Sequence, residues 1–205
     1  MPRLWNETIE AHRRDVHAAV VDAAWRLVSE NGLRSATMSK IAEQAGIGRA
    51  TLYKYFPDVE SILVAWHQEQ VGSHLGHLAG LAQGEGSARD RLRCVLEAYA
   101  LMSHRSGQHA AELVAHLHRD ESVAQARTQV LGLLTSLLAE AAAAGETRGD
   151  VDPAELALYC LHALSAAGQL SDEAAVHRLV NVVLDAAEPP RLSEPAAATL
   201  PPTEH

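Results

Sequence analysis

The sequence has few aromatic residues and few cysteines. Only 4% of its 205 residues are Phe, Trp or Tyr, whereas alanine and leucine are abundant. Strands favour aromatic and β-branched residues, so this balance predicts packed helices rather than sheets. The two cysteines, Cys94 and Cys160, lie far apart and match no metal-binding spacing. This pattern excludes a disulfide-rich scaffold, and we expect an all-α intracellular protein with reduced thiols.

Long hydrophobic runs are also missing. No stretch of about 18 uncharged apolar residues occurs, as a transmembrane helix would require. The N-terminal residues lack the apolar core of a secretory signal peptide. We therefore expect a cytoplasmic protein with no membrane partner.

The charge is negative overall but unevenly spread. The formal net charge is −9, yet residues 1–66 hold 8 basic and 8 acidic residues and are neutral. Within residues 33–56 the balance is positive. The basic residues there are Arg34, Lys40, Arg49 and Lys54, and the single acid is Glu43. A local basic patch on an acidic protein is compatible with contact to nucleic-acid phosphates.

Hydrophobic periodicity predicts about nine helices. The first begins at Val16 and ends at Asn31-Gly32, where glycine allows a left-handed residue. Residues 1–15 are polar, without a clear apolar face, and are predicted to form a mobile or partly helical arm. Thr37 is placed to cap a short second helix, and a third runs from Arg49 to Phe56. We assign residues 16–57 to a first domain.

The larger remainder, residues 58–187, is assigned to a second helical domain. Asp58 is placed to cap a helix that runs to about Leu81 and bridges the two parts. Further helices are predicted at about 87–103, 108–118, 121–144, 153–168 and 171–187. The tail over 188–205 is rich in proline and alanine and is predicted to be disordered.

The segment from Thr37 to Phe56 carries the strongest functional indication. Its two short helices are joined by a glycine-containing turn, and the second is polar on its outer face. This arrangement is typical of a helix-turn-helix, whose second helix enters the major groove of DNA. A plain helical hairpin with solvated polar residues fits the same pattern. Composition and spacing alone leave both interpretations open.

A resemblance favours the first interpretation. Gly32 is followed by T-x-x-x-I-A-x-x-A-G-I from Thr37 and by T-L-Y-x-Y-F-x-x-x-E-x-I-L from Thr51. Over about residues 16–66 this pattern resembles the N-terminal domain of the TetR family of bacterial regulators. The C-terminal part resembles that family only in length and helical character. The resemblance implies a ligand-responsive DNA-binding regulator, most simply a repressor on a palindromic operator, with no enzymatic activity and no catalytic residues.

The resemblance also implies roles for nine residues on the two short helices. The DNA edge of the second helix would hold Thr37, Ser39 and Lys40. The positions facing the bases would be Arg49, Ala50 and Thr51, and those holding the DNA backbone would be Tyr53, Lys54 and Tyr55. Tyr55 often corresponds to histidine in the family, and Ala50 to glycine or proline, so the base preference does not carry over.

In the C-terminal domain the resemblance implies a homodimer and a pocket for a small-molecule effector. Helix 153–168 is apolar around most of its circumference, which suits an interface, although a central core helix would look the same. The predicted dimer residues are Leu156, Tyr159, Cys160, Ala163, Leu164, Leu179 and Val183. The candidate pocket residues are Cys94, Tyr99, Met102, His104, His109, Leu113, His116 and Leu117.

Histidine supports an alternative hypothesis. The chain holds 12 histidines, and His74 and His77 lie on one helical face, as do His109 and His116. Such pairs could bind a metal ion, which would make the protein a metal sensor or a metal-dependent helical enzyme. No H-E-x-x-H or Glu-x-x-His motif supports an enzyme. We assign no cofactor and no metal ligand.

Overall fold

The computed structural model describes residues 2–109 and 121–190, with side chains over residues 9–105 and 124–190. In those residues the chain forms eight α-helices and no strand, which confirms the all-α prediction. The helices are α1 (Pro2–Asn31), α2 (Met38–Gln44), α3 (Arg49–Tyr55), α4 (Val59–Ala82), α5 (Ala88–His109), α6 (Glu121–Ala143), α7 (Pro153–Leu164) and α8 (Glu173–Ala186). Short 3₁₀-helices span Leu33–Ser35 and Ser165–Gln169.

Helix starts follow the capping residues of the sequence. The Lys40 amide donates to Thr37 Oγ1 over 3.3 Å at the start of α2. The Ser61 amide donates to Asp58 Oδ1 over 2.8 Å at the start of α4. Each bond satisfies a backbone N–H that the first turn of a helix leaves unpaired. The predicted caps at Thr37 and Asp58 are therefore confirmed.

Two predicted helix ends are wrong. The first helix begins at Pro2 rather than Val16, so the arm predicted over residues 1–15 takes the helical form that was one of its two alternatives; proline suits the first turn of a helix. Ile9 in this extension is 46% exposed, so it does not belong to a buried core. The break predicted at Ser106-Gly107 is also absent, since α5 continues to His109. The predicted helix at 108–118 and the tail beyond residue 190 lie outside the described residues.

The hydrophobic residues form two separate cores. The N-terminal core joins α1, α2, α3 and the start of α4, and the C-terminal core joins the end of α4 to α5, α6, α7 and α8. Ile62 and Leu63 of α4 belong to the first core, whereas Leu78 and Ala82 belong to the second. Helix α4 therefore connects the two parts of the molecule mechanically.

A tryptophan pair fixes α1 against α4. The indole rings of Trp25 and Trp66 stack with centroids 3.8 Å apart and planes 10° from parallel. Stacked aromatic rings add stabilisation beyond the area that they bury. This contact therefore fixes the packing of α1 against α4 at Trp25 and Trp66.

The helix that begins at Pro153 is shorter than predicted. Its α-helical part ends at Leu164, and the chain continues as a 3₁₀-helix to Gln169. The ring nitrogen Nδ1 of buried His104 lies 3.0 Å from the Ala167 carbonyl oxygen in that segment. A carbonyl oxygen only accepts a hydrogen bond, so Nδ1 carries the proton.

Among the described helices, none is long and apolar enough to span a bilayer.

Candidate nucleic-acid interface

The two short helices α2 and α3 are held together by a small apolar contact. Ile41 and Leu52 are fully buried, and Ala42 nearly so. Between the helices, Gly46 has a φ of +69°, a left-handed conformation that glycine adopts without strain. The Ile47 amide then donates to the Ala42 carbonyl over 3.0 Å. The turn and the buried contact fix α3 at a defined angle on α2.

Helix α3 presents a polar outer surface, which we call the recognition face. It consists of the exposed residues Arg49, Ala50, Thr51, Tyr53 and Lys54. Tyr53 is 55% exposed even though the ring is large and partly apolar. Arginine, threonine, tyrosine and lysine side chains all bond to phosphate oxygens or base edges. The outer side of α3 is therefore open along the length of the helix, and a nucleic-acid duplex could contact it there.

The start of α2 lies beside the recognition face in sequence and is also exposed. Thr37, Ser39 and Lys40 all reach solvent. Tyr55 differs from the other predicted backbone contacts, because it is half-buried and packs against the N-terminal core. The roles of these residues at DNA remain predictions, with Tyr55 the least accessible of the nine.

A second surface feature was not foreseen from the sequence. An open groove of about 510 Å³, which we call the α1 groove, lies where α1, α3 and α4 meet. Its lining residues are Arg13, Arg14, His17, Ala18, Tyr55 and Glu69. His17 Nδ1 lies 3.4 Å from Glu69 Oε1, and its ring lies 4.9 Å from that of Phe56. No sequence pattern indicated it, because residues 1–15 have no apolar stripe that would reveal their partners.

The predicted dimer surface is partly buried within the single chain. Four of its residues lie in the C-terminal core, where the chain itself covers them: Leu156, Cys160, Leu164 and Val183. Of the others, Tyr159 is 45% exposed, while Ala163 and Leu179 are partly buried. The surface of α7 and α8 instead exposes Leu158 and Val182, which are not among the predicted dimer residues. We call Leu158, Tyr159 and Val182 the α7–α8 face.

The candidate pocket residues on α5 lie in different environments. His104 is buried, and Tyr99 and Met102 are partly buried against the C-terminal core. Burial raises the pKa of the Tyr99 hydroxyl, although Ser103 and Arg127 act in the opposite direction. Cys94 is exposed, so it does not fit an interior pocket. The side chain of His109, and the whole of Leu113, His116 and Leu117, lie outside what the structure describes.

Of the two predicted histidine pairs, His74 and His77 lie in the described part of the chain, whereas the side chain of His109 and the whole of His116 lie outside it. Within the described part, no group of three or more His, Cys, Asp or Glu side chains comes close enough to hold an ion. His74 is half-buried on α4, and burial, followed by the nearby His77, lowers its pKa. Burial, more than the neighbouring histidine, therefore favours the neutral form of His74.

Two family models match the chain. The model described as "Bacterial regulatory proteins, tetR family" matches residues 20–65, which include α2, α3 and the start of α4. The model described as "Transcriptional regulator SbtR-like, C-terminal domain" matches residues 95–186. Together they account for both parts of the molecule.

One sequence match and two structural superpositions extend these matches. The fatty acid metabolism regulator protein of Bacillus subtilis is 27% identical over 147 residues, covering 68% of this chain and 75% of that protein. A TetR/AcrR regulator from Thermobifida fusca superposes with a TM-score of 0.70 at 22% identity, covering 82% of this chain and 96% of the other. FadR from Bacillus subtilis in complex with stearoyl-CoA superposes with a TM-score of 0.62 at 20% identity, covering 83% and 99%. The two structures show a shared fold.

Proposed function

The chain belongs to the TetR family of bacterial transcriptional regulators, and we propose that it is a repressor that binds a palindromic operator as a homodimer. As a member of that family it is a DNA-binding transcription factor and not an enzyme. In the proposal, a small molecule bound in the C-terminal domain releases the operator. The bacterial chromosome lies in the cytoplasm, so we place the protein there.

One observation carries the DNA-binding part of the proposal. Five consecutive or nearly consecutive polar and small residues of the recognition face are exposed, while Leu52 on the same helix is fully buried. A short helix with one buried anchor and an otherwise solvent-facing surface contributes little to a core. It is suited to entering a major groove, where its first residues would lie nearest the bases.

The α7–α8 face supports the homodimer. Leu158 and Val182 are 44% and 60% exposed, and Tyr159 lies beside Leu158 on the same helix. Large apolar side chains that stay exposed on two packed helices are typical of subunit interfaces. In a two-fold dimer, two recognition helices would lie about one DNA turn apart and match a palindromic site.

The connection between the two cores supports an effector mechanism. Because α4 contributes Ile62 to the N-terminal core and Leu78 to the C-terminal core, a shift of one core moves the other. A ligand that binds one position of α4 better than another would therefore change the spacing of the two recognition helices. The related FadR of Bacillus subtilis binds stearoyl-CoA. A long-chain acyl-CoA is accordingly the first effector to test here.

The DNA-binding proposal predicts that Arg49→Ala and Tyr53→Ala each weaken binding. A base contact of this kind contributes about 1–3 kcal/mol, so the dissociation constant should rise roughly 5- to 150-fold. Fluorescence anisotropy on a labelled duplex from the DNA flanking the gene would measure it. Arg26→Ala is the matched control, because Arg26 is exposed on α1 and pairs with Asp22. Unchanged affinity in both α3 variants would refute the placement of the recognition face.

The effector proposal predicts that stearoyl-CoA releases the wild-type protein from the same duplex. Titration should lower the anisotropy of the labelled DNA at constant protein concentration, with free coenzyme A as the control. No release by stearoyl-CoA would rule out that compound class while leaving DNA binding intact.

A further inference from the structure

We infer that the α1 groove binds DNA backbone phosphates beyond the stretch contacted by the recognition face, so that α1 extends the protein's footprint on the duplex. This inference rests on the proposed DNA binding. It assigns a role to a region outside the helix-turn-helix, namely the part of α1 that holds Arg13 and Arg14.

The position of the groove favours this occupant. Tyr55 forms one wall of the groove and is also the last residue of α3. A helix rises about 1.5 Å per residue, so Tyr55 lies about 6 Å along α3 from Thr51. Each DNA strand carries one phosphate about every 3.4 Å of duplex axis. A backbone that passes Lys54 therefore has phosphates within a short distance of the groove.

The charge of the groove is also complementary to phosphate. Arg13 and Arg14 line it and are both exposed, and neither forms an ion pair within the part of the chain that the structure describes. Guanidinium groups present several N–H donors in a planar fork that matches phosphate oxygens. The groove thus offers two positive groups that make no competing contact with a carboxylate in the described residues.

Glu69 is the one acid among the residues that line the groove, and it opposes phosphate binding. The carboxylate lies 3.4 Å from His17 Nδ1, and both side chains are partly exposed. The contact holds the Glu69 carboxylate towards α1. Removing this carboxylate should consequently strengthen the DNA contact, a change opposite in sign to the loss of either arginine.

The test measures how salt affects binding to a labelled duplex that wild-type protein has selected from a random-sequence pool. The logarithm of the binding constant falls with the logarithm of salt concentration, and each phosphate contact contributes about 0.9 to the slope. The double variant Arg13→Ala/Arg14→Ala should lower the slope by about 2. Arg13→Lys/Arg14→Lys should retain the wild-type slope, because each lysine still neutralises one phosphate. The Arg26→Ala control should also leave it unchanged.

Two further measurements distinguish the loss of a phosphate contact from a change in folding. Glu69→Gln should bind the duplex about two- to fivefold more tightly, a gain that a damaged fold would not produce. Trimming the duplex from both ends should remove the difference between wild type and Arg13→Ala/Arg14→Ala once the flanking phosphates are gone.

The outcomes distinguish this inference from the proposed function. If wild type binds no DNA, both fail. If wild type binds and Arg49→Ala weakens it, but the double alanine variant keeps the wild-type slope, DNA binding stands and the inference is overturned.

Discussion

The recognition face and the α7–α8 face are both exposed in the single chain, yet they differ in chemistry. The recognition face offers arginine, threonine, tyrosine and lysine, which form hydrogen bonds and carry positive charge. The α7–α8 face offers Leu158, Tyr159 and Val182, of which only the tyrosine can form a side-chain hydrogen bond. The recognition face is therefore suited to a polyanion, and the α7–α8 face is suited to another apolar surface.

In both regions, exposed and buried side chains lie within one or two residues of each other along the helix. In α3, buried Leu52 lies between exposed Thr51 and Tyr53. In α7, buried Leu156 is two residues from exposed Leu158. Each helix thus uses one side to hold its own fold and the other side to meet a partner. Substitutions on the two sides should have separable effects.

The largest effect is expected from the buried side of α7. Leu156→Ala removes a side chain that is 6% exposed in the C-terminal core, which should lower the free energy of unfolding by about 2–5 kcal/mol. Urea denaturation followed by circular dichroism would measure the loss. The matched control is Leu158→Ala, which should change the unfolding of the isolated subunit much less. Equal losses in both would contradict the assignment of the two sides.

The next effect is expected from the exposed side. Leu158→Asp combined with Val182→Asp places charges on the α7–α8 face, and the dimer dissociation constant should rise on the order of 100-fold. Sedimentation velocity across a concentration series would detect it, and the affinity for a palindromic duplex should fall with it. Glu155→Ala, an exposed change on the same helix, is the control. A dimer of wild-type stability in the double variant would show that the subunits meet elsewhere.

A smaller effect is expected at the edge of the recognition face. Thr37→Ala removes the oxygen that accepts from the Lys40 amide over 3.3 Å, which should cost about 1 kcal/mol of unfolding free energy. Thr37→Ser keeps an acceptor and should recover most of it. Thermal denaturation of the two variants beside wild type would test the pair, and identical melting temperatures would mean that the cap adds no stability.

The smallest effect is expected on α4, between the two regions. Because burial lowers the pKa of His74 below its usual 6.5, the unfolded chain binds a proton more readily than the folded one. Stability should therefore be full above pH 6.5 and should decrease as the pH falls below it. His74→Gln should reduce this decrease, as measured by urea denaturation at pH 7.5 and pH 5.5. A decrease as large as in wild type would assign the acid sensitivity to another group.

Local chemistry made much of the fold predictable from the sequence. Thr37, Asp58 and Asp152 each cap a helix because a short oxygen-bearing side chain can reach a free amide in the next turn. Gly32 and Gly145 end helices in the left-handed conformation, with φ of +79° and +73°. These features depend only on neighbouring residues, so a single sequence reveals them. The helix-turn-helix itself required the resemblance at fixed spacing.

Tertiary choices were not predictable in the same way. Helix α7 has apolar residues on every side, so periodicity could not decide that Leu156 turns inward and Leu158 outward. The start of α1 was missed for the opposite reason, because its residues have no apolar stripe at all. The α1 groove depends on α1 and α4 meeting at His17 and Glu69, far apart in sequence. Distant pairings of this kind leave no pattern in a single chain.

The stacked pair Trp25 and Trp66 gives the protein a built-in optical reporter. Two parallel indole rings 3.8 Å apart couple their electronic transitions, and the resulting circular dichroism bands vary with the angle between the rings. One ring belongs to α1 and the other to α4, so any rotation of one helix against the other alters the signal. The native chromophores can therefore report a change in the angle between α1 and the start of α4 within the N-terminal core, without an attached dye.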